Sequence, residues 1–460
     1  MTSELQVHNP YDDRVLATVP VFDERNVRKA VGRAAAAAPV MAKLPAYERG
    51  AILNRMARLV EEDADSLARL MVRESGKPLK YAQGEVARAV ETFTFAADEA
   101  RRLHGETVPM DASRSGVGRM GYYLRVPVGV IAAITPFNFP LNLVAHKVAP
   151  AIAAGCSLVL KPSPRTPLTA LRIQDMLTEA GLPHSVLEVV LGDADVGSWL
   201  VTDPRVQMIT FTGSTGVARQ ITRVAGLRRV TLELGGNAAT IIEPDANLDH
   251  AVSRTLMGSF AYSGQTCISV QRIYVQRDVF NEFRSRFLDS TTQLVLGNPM
   301  HEETDIGPVI SDSAADRIIG WINQAMDEGA WLLQGGTHEG RMVVPTVLEN
   351  VDPAMKVMSS EVFGPVVSLL PYDTLDEALD AVNNSPFGLQ AGVYTRDLNR
   401  ALYAVDRLNV GGVMINDVPT YRVDHMPYGG VKESGTGREG PRYAVEEMTH
   451  LKMVVINTGE

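Results

Sequence analysis

The chain has 460 residues, with 54 acidic and 44 basic side chains, a formal charge of −10, 45% hydrophobic residues and 21% charged residues. A single core seldom grows past about 250–300 residues, so this length implies two or more domains, and the ordinary composition disfavours a fibrous or disordered chain. The acidic balance, with no lysine- or arginine-rich block, argues against non-specific binding to nucleic acid or anionic membranes.

The only two cysteines, Cys156 and Cys267, sit in dissimilar surroundings without metal-type spacing. Neither a disulfide framework nor a zinc site is expected, and a reducing cytoplasm fits best. The stretch from Met1 to His8 lacks a basic and an apolar signal region, so export is not expected. Val126 to Leu160 is apolar but broken by Asn138, Asn142, His146 and Lys147, which predicts no membrane span.

Residues 24–104 carry alanine- and leucine-rich periodicity that predicts helices, punctuated at Gly76-Lys77-Pro78. Gly116 to Arg125 alternates glycine, aromatic and basic residues, which predicts an exposed hairpin. Val128 to Ile134 then reads as a buried parallel strand ended by Pro136. Strands at Ser157–Leu160, Leu187–Val190, Met208–Phe211 and Val230–Leu234 alternate with helices at Leu141–Ala154, Thr169–Ala180 and Val217–Arg223. That is the pattern of βαβ units on a parallel sheet, which bind ligands beyond the carboxyl ends of their strands. After Gly235-Gly236, where paired glycines allow a change of direction, helices and strands alternate again to Tyr394.

Cys267 ends the polar turn Ser263-Gly264-Gln265-Thr266, unlike the apolar flanks of an inert core thiol. In Thr135-Pro136-Phe137-Asn138-Phe139-Pro140 two prolines fix the backbone around an asparagine, either as a rigid turn or to aim its amide at developing negative charge. Glu233 stands at a strand end beside a flexible turn; most such glutamates are solvated. Gly213-Ser214-Thr215-Gly216, between strand and helix, suits an anion, with Lys161 adding a cation, although each signal is weak alone. Together a thiol, an amide donor, a carboxylate and a nucleotide crevice are what oxidation of an aldehyde through a thioester requires.

With those residues in place, the chain resembles the aldehyde dehydrogenase superfamily over nearly its whole length. The shared motifs include Pro136-Phe137-Asn138-Phe139-Pro140, Leu160-Lys161-Pro162, Phe211-Thr212-Gly213-Ser214, Leu232-Glu233-Leu234-Gly235-Gly236, Gly264-Gln265-Thr266-Cys267, Glu361-Val362-Phe363-Gly364-Pro365 and Pro427 to Lys432. The resemblance implies an α/β fold: a Rossmann-type cofactor domain (1–108 and 128–235), an α/β catalytic domain (236–442) and a β oligomerisation flap (109–127 and 443–460) pairing between subunits of a homodimer or homotetramer. It implies Cys267 as nucleophile, Asn138 as oxyanion donor and Glu233 as the base that activates water. Thr135, Pro136, Phe137, Lys161, Ser163, Arg165, Gly213, Ser214, Glu361 and Phe363 would hold NAD or NADP.

Many NAD-preferring members have a glutamate three residues after the lysine, where this chain has Pro164 between Ser163 and Arg165. Losing an acid beside a cation favours a 2′-phosphate, hence NADP. The segment Asn416 to Gly430 is similar to the lactaldehyde, phosphonoacetaldehyde and semialdehyde branch. The expected substrate is a small anionic or hydroxylated aldehyde: Arg422 and His425 would recognise an anionic tail, or Arg422 would form a structural ion pair with Asp424 or another acid. Two alternatives stand beside oxidation to an acid: a CoA-acylating semialdehyde dehydrogenase, against which Glu233 speaks, and a non-catalytic protein on the same fold. The presence of Cys267, Asn138 and Glu233 argues against the latter.

Overall fold

The computed structural model describes residues 4–459, and the chain passes from one open sheet to another across Gly235-Gly236. The first sheet places the parallel strands Arg229–Glu233, Met208–Thr212, Val130–Ile134, Ser157–Lys161 and Leu187–Val189 side by side in that order. Strand order therefore reverses between Val130–Ile134 and Met208–Thr212, and such switch points open a crevice at the strands' carboxyl ends. Both central strands are almost wholly buried, which explains their continuous apolar runs.

The second sheet has seven strands, in the order Trp331–Gln334, Thr346–Glu349, Val366–Tyr372, Val270–Gln276, Ala238–Ile242, Gln390–Tyr394 and Gly412–Ile415. All pairs are parallel except the first. Residues 435–447 return to the first sheet and its helices, a stretch that the resemblance divides between the catalytic domain (to 442) and the flap (from 443). Gly435–Thr436 pairs antiparallel with Leu232 and Glu233, and the helix Pro441–Glu447 packs on the helices Asn142–Ala154 and Leu79–Arg102.

The helical region divides into Glu24–Lys43, Ala46–Glu62, Ala64–Ser75 and Leu79–Arg102. Asp23 caps the first, its carboxylate accepting the Asn26 N–H at 2.7 Å. Gly76, at φ 71°, ends the third in the left-handed conformation, and a Cβ there would lie 2.7 Å from Pro308. Two elements differ from the reading above. Glu4–His8 and Val15–Pro20 form a hairpin that the sequence did not announce, with Val7 and Val19 its buried contacts. The expected hairpin at 116–125 is instead a nine-residue strand, Arg119–Pro127, following 3₁₀ turns. It pairs over its length with Thr449–Asn457 of the same chain, so the two flap segments join each other, leaving Met120, Leu124, Leu451, Met453 and Val455 exposed. No helix among the described residues is long and apolar enough to cross a membrane.

Candidate active site

Several loops and the helix Leu79–Arg102 meet at one cavity of about 340 Å³, whose lining includes Arg88, Asn138, Glu233, Cys267, Arg422 and Tyr428. Asn138 leaves the strand Val130–Ile134 through the proline-bounded turn and is buried. Its amide Nδ2 donates to the Gln265 carbonyl at 3.0 Å, which ties it to the cysteine loop, while its Oδ1 has no partner.

The cysteine loop is tightly built. Tyr262, Ser263 and Gly264 all take positive φ, 51°, 54° and 68°, and such backbone persists only where surroundings over-determine it. Ser263 Oγ donates to the Gly307 carbonyl at 2.7 Å, and Gln265 Oε1 accepts the Ile310 N–H at 2.9 Å. A Cβ on Gly264 would overlap the Gly364 carbonyl. Cys267 is thus delivered with its Sγ 2.9 Å from the Tyr428 hydroxyl. Burial pushes its thiol up to about 12, the Tyr428 hydrogen bond opposing.

Glu233 ends its strand with both carboxylate oxygens buried and unpartnered. Burial first, then the neighbouring charge of Glu439, holds it well above the usual carboxylate range against the pull of Lys147, Arg422 and Arg438. Glu439 is buried too, yet Lys147, His146 and Arg422 keep it ionised well below that range. One acid of the pair is therefore a stored anion and the other a base in waiting. The glycines after Glu233 allow close packing: a Cβ on Gly235 would overlap the Glu361 carboxylate, and one on Gly236 would lie 2.7 Å from the Cys267 carbonyl.

Two arginines also line the cavity. Arg88, on the helix Leu79–Arg102, grips Asp424 through Nε and Nη2 at 3.0 and 2.8 Å. The Arg422 side chain is 6% exposed, with Nη2 3.1 Å from Glu439 and 2.9 Å from His146 Nε2, while its Nε has no partner. Its guanidinium lies 3.8 Å from the Tyr428 ring centroid. Arg422 therefore has both expected features, a cavity position and an ion pair, but the pair is with Glu439 while Asp424 serves Arg88. His425 lies outside the lining, exposed and against the Phe95 ring at 4.8 Å.

The remaining expected residues lie at the switch point of the first sheet or along the main cavity. Lys161 is buried, its ammonium donating among the described residues only to the Pro162 carbonyl at 3.3 Å, and burial lowers it to about 8 against the charge of Asp193. Ser214 begins the helix Thr215–Ala225 without capping it through its side chain, so the terminal N–H groups are free for an anion. The Oγ1 atoms of Thr135, Thr166 and Thr212 are buried and unpartnered nearby in the chain. Ser163 Oγ accepts the Arg165 N–H at 3.2 Å, and the Arg165 side chain is exposed. Pro136, Phe137, Gly213, Ser214, Glu361 and Phe363 line the main cavity, with the rings of Phe137 and Phe363 edge to face at 5.8 Å. Burial raises Glu361 to about 7, its Oε1 accepting the Gly236 N–H at 3.2 Å. Free hydroxyls, an anion-ready helix start, a cation and an acid beside two rings fit a dinucleotide. The sequence reading did not single out Arg88, Glu439 or Lys147, and quoted Tyr428 only within a motif.

This constellation on two parallel sheets defines an aldehyde-oxidising enzyme, and residues 1–454 match the aldehyde dehydrogenase family, to which the chain belongs. It is an NAD(P)-dependent aldehyde dehydrogenase. It is 46% identical over 455 residues to a 3-sulfolactaldehyde dehydrogenase of Priestia aryabhattai, covering 99% of this chain and 95% of the relative. Aldehyde dehydrogenase 21 from Physcomitrella patens, solved in complex with the reaction product succinate, is 41% identical with a TM-score of 0.98, over 99% of this chain and 95% of that one. Glyceraldehyde-3-phosphate dehydrogenase GapN from Methanocaldococcus jannaschii, complexed with NADP, is 38% identical with a TM-score of 0.95, over 99% of both chains.

Proposed function

We propose that this enzyme oxidises a small aldehyde bearing an anionic group, a sulfonate or carboxylate, to the corresponding acid. The observation that carries this is the placement of Arg88 and Arg422 in the same cavity as Cys267 and Asn138. Arg422 keeps a buried Nε–H unused, and a buried donor without a partner is costly unless a ligand supplies one. The names of the sulfolactaldehyde and succinate-bound relatives support the same class.

Cys267 attacks the aldehyde carbon, and the Asn138 amide with the Cys267 backbone N–H holds the oxygen as it gains charge. NAD(P), when bound, would supply a hydride acceptor, the chemistry by which such an adduct reaches the oxidation level of a thioester. Lys161 and Ser214 would hold its ribose and phosphates, with Glu361 and Phe363 at the nicotinamide end. Glu233 then takes a proton from water, whose oxygen attacks the thioester and frees Cys267. A buried, unpartnered Glu233 supports water rather than CoA as acyl acceptor. Pro164 and the exposed Arg165 support NADP over NAD. The paired flap segments support assembly into a homodimer or homotetramer.

The test is a panel of aldehydes assayed with NAD and NADP separately. Sulfonated and carboxylated aldehydes should exceed benzaldehyde and long alkanals in kcat/KM, with NADP ahead of NAD and Arg422→Ala raising KM for the anionic substrates alone. An unchanged ranking in that variant contradicts anion recognition, and equal or better kcat/KM with NAD contradicts the cofactor preference.

A further inference from the structure

Among the described residues the Cys267 sulfur has one hydrogen-bonding partner, the Tyr428 hydroxyl at 2.9 Å, and that hydroxyl has no other. The Asn138 amide, which reaches this loop, is directed at the Gln265 carbonyl. The tyrosine is held firmly: the residue is 3% exposed, and its backbone exchanges hydrogen bonds with Glu439, Tyr428 N–H to Glu439 O at 3.1 Å and the reverse at 2.6 Å. Arg422 lies against the ring face, so its cation draws electron density from the phenol and strengthens the O–H as a donor.

The charges around the sulfur make this bond matter. Glu233, at its strand end, and Glu361, in its loop, oppose a second negative charge. Arg422 is the cation that favours one, and part of its field is spent on Glu439, itself facing Lys147 and His146. While the sulfur keeps its proton, either group can donate. Once that proton has gone to solvent, only Tyr428 can, and hydrogen bonds to ions are roughly twice as strong as neutral ones.

We infer that Tyr428 is a catalytic residue, its hydroxyl donating to the Cys267 thiolate both when the sulfur attacks and when it leaves the thioester. This rests on Cys267 being the nucleophile. Nothing beyond a reoriented hydroxyl proton is required.

The test compares Tyr428→Phe with the parent enzyme. Rapid alkylation of Cys267 by iodoacetamide is followed by peptide mass against pH, and the ultraviolet thiolate absorbance is titrated with Cys267→Ala subtracted. The expected result is a midpoint displaced upward by about one pH unit, equivalent to about tenfold less thiolate at a given pH below it. The variant's kcat should fall about tenfold for both acylation and deacylation, with KM little changed. Substituting difluorotyrosine at this single site, a stronger donor, should move the midpoint downward. Superimposable titrations, or a changed alkylation plateau with an unmoved midpoint, would overturn the inference and leave Tyr428 as packing. If Cys267→Ala itself retains activity, the underlying reading has failed instead.

Discussion

Lys77 and Glu85 form an ion pair whose two side chains are both wholly buried, and the pair joins the loops that carry Asn138 and Cys267. Glu85 Oε1 accepts the N–H groups of Leu141 and Asn142, each at 2.9 Å, at the start of the helix that follows the Asn138 turn. The Lys77 ammonium lies 3.7 Å from the Phe139 ring centroid, beside Asn138, and 4.6 Å from that of Tyr262, at the start of the cysteine loop.

Removing one partner of such a pair leaves an uncompensated charge, at a cost of about 3–5 kcal/mol. Lys77→Met should therefore lower the urea midpoint strongly and reduce kcat. Lys77→Met combined with Glu85→Gln, which removes both charges, should recover most of the stability. Equal midpoints for the single and double variants would show that the charges are not coupled.

The same pair shows what the sequence could and could not disclose. Asn138, Glu233 and Cys267 were singled out because each lies in a short turn with prolines or glycines beside it, and the ordered motifs around them, not any one residue, gave them joint meaning. Lys77 and Glu85 were not, since a lysine before a proline and a glutamate in a helical repeat look like solvated charges until long-range packing buries them. Arg88 was hidden likewise on a long helix, and Glu439 acquires its meaning only when residues 435–447 return to the first sheet. The terminal hairpin Glu4–His8 with Val15–Pro20 escaped notice because such short strands carry little periodicity.

Asn138→Ala should lower kcat by about 10²–10³-fold with a small change in KM, as expected for an oxyanion donor. The Gln265 carbonyl would lose a partner, so stability should be measured alongside. A loss confined to KM would reassign Asn138 to substrate binding.

Arg88→Met should raise KM for an anionic aldehyde by roughly tenfold to hundredfold, the worth of a charge-assisted hydrogen bond of about 1.5–3 kcal/mol. The fold should survive, because Asp424 keeps Asn142 Nδ2 at 2.9 Å and His146 Nε2 at 2.8 Å. An equal rise for an uncharged aldehyde would show that Arg88 only shapes the cavity.

Thioester hydrolysis should speed up as pH rises. Glu233 is held above the usual carboxylate range by burial, so it is protonated at low pH and must lose that proton before it can accept one from water. Single-turnover deacylation followed against pH should show one rising limb, and Glu233→Gln should abolish it together with about 10²–10⁴-fold of the rate. A parent profile that falls with rising pH would contradict the assignment.

The central claim, that the substrate becomes covalently attached to Cys267 and leaves by hydrolysis, is tested most directly by trapping. Glu233→Gln, mixed with an anionic aldehyde and NADP and quenched for mass spectrometry, should gain the mass of one acyl group on the peptide containing Cys267. A fully active Cys267→Ala enzyme, or an acyl group found on another residue, would contradict it.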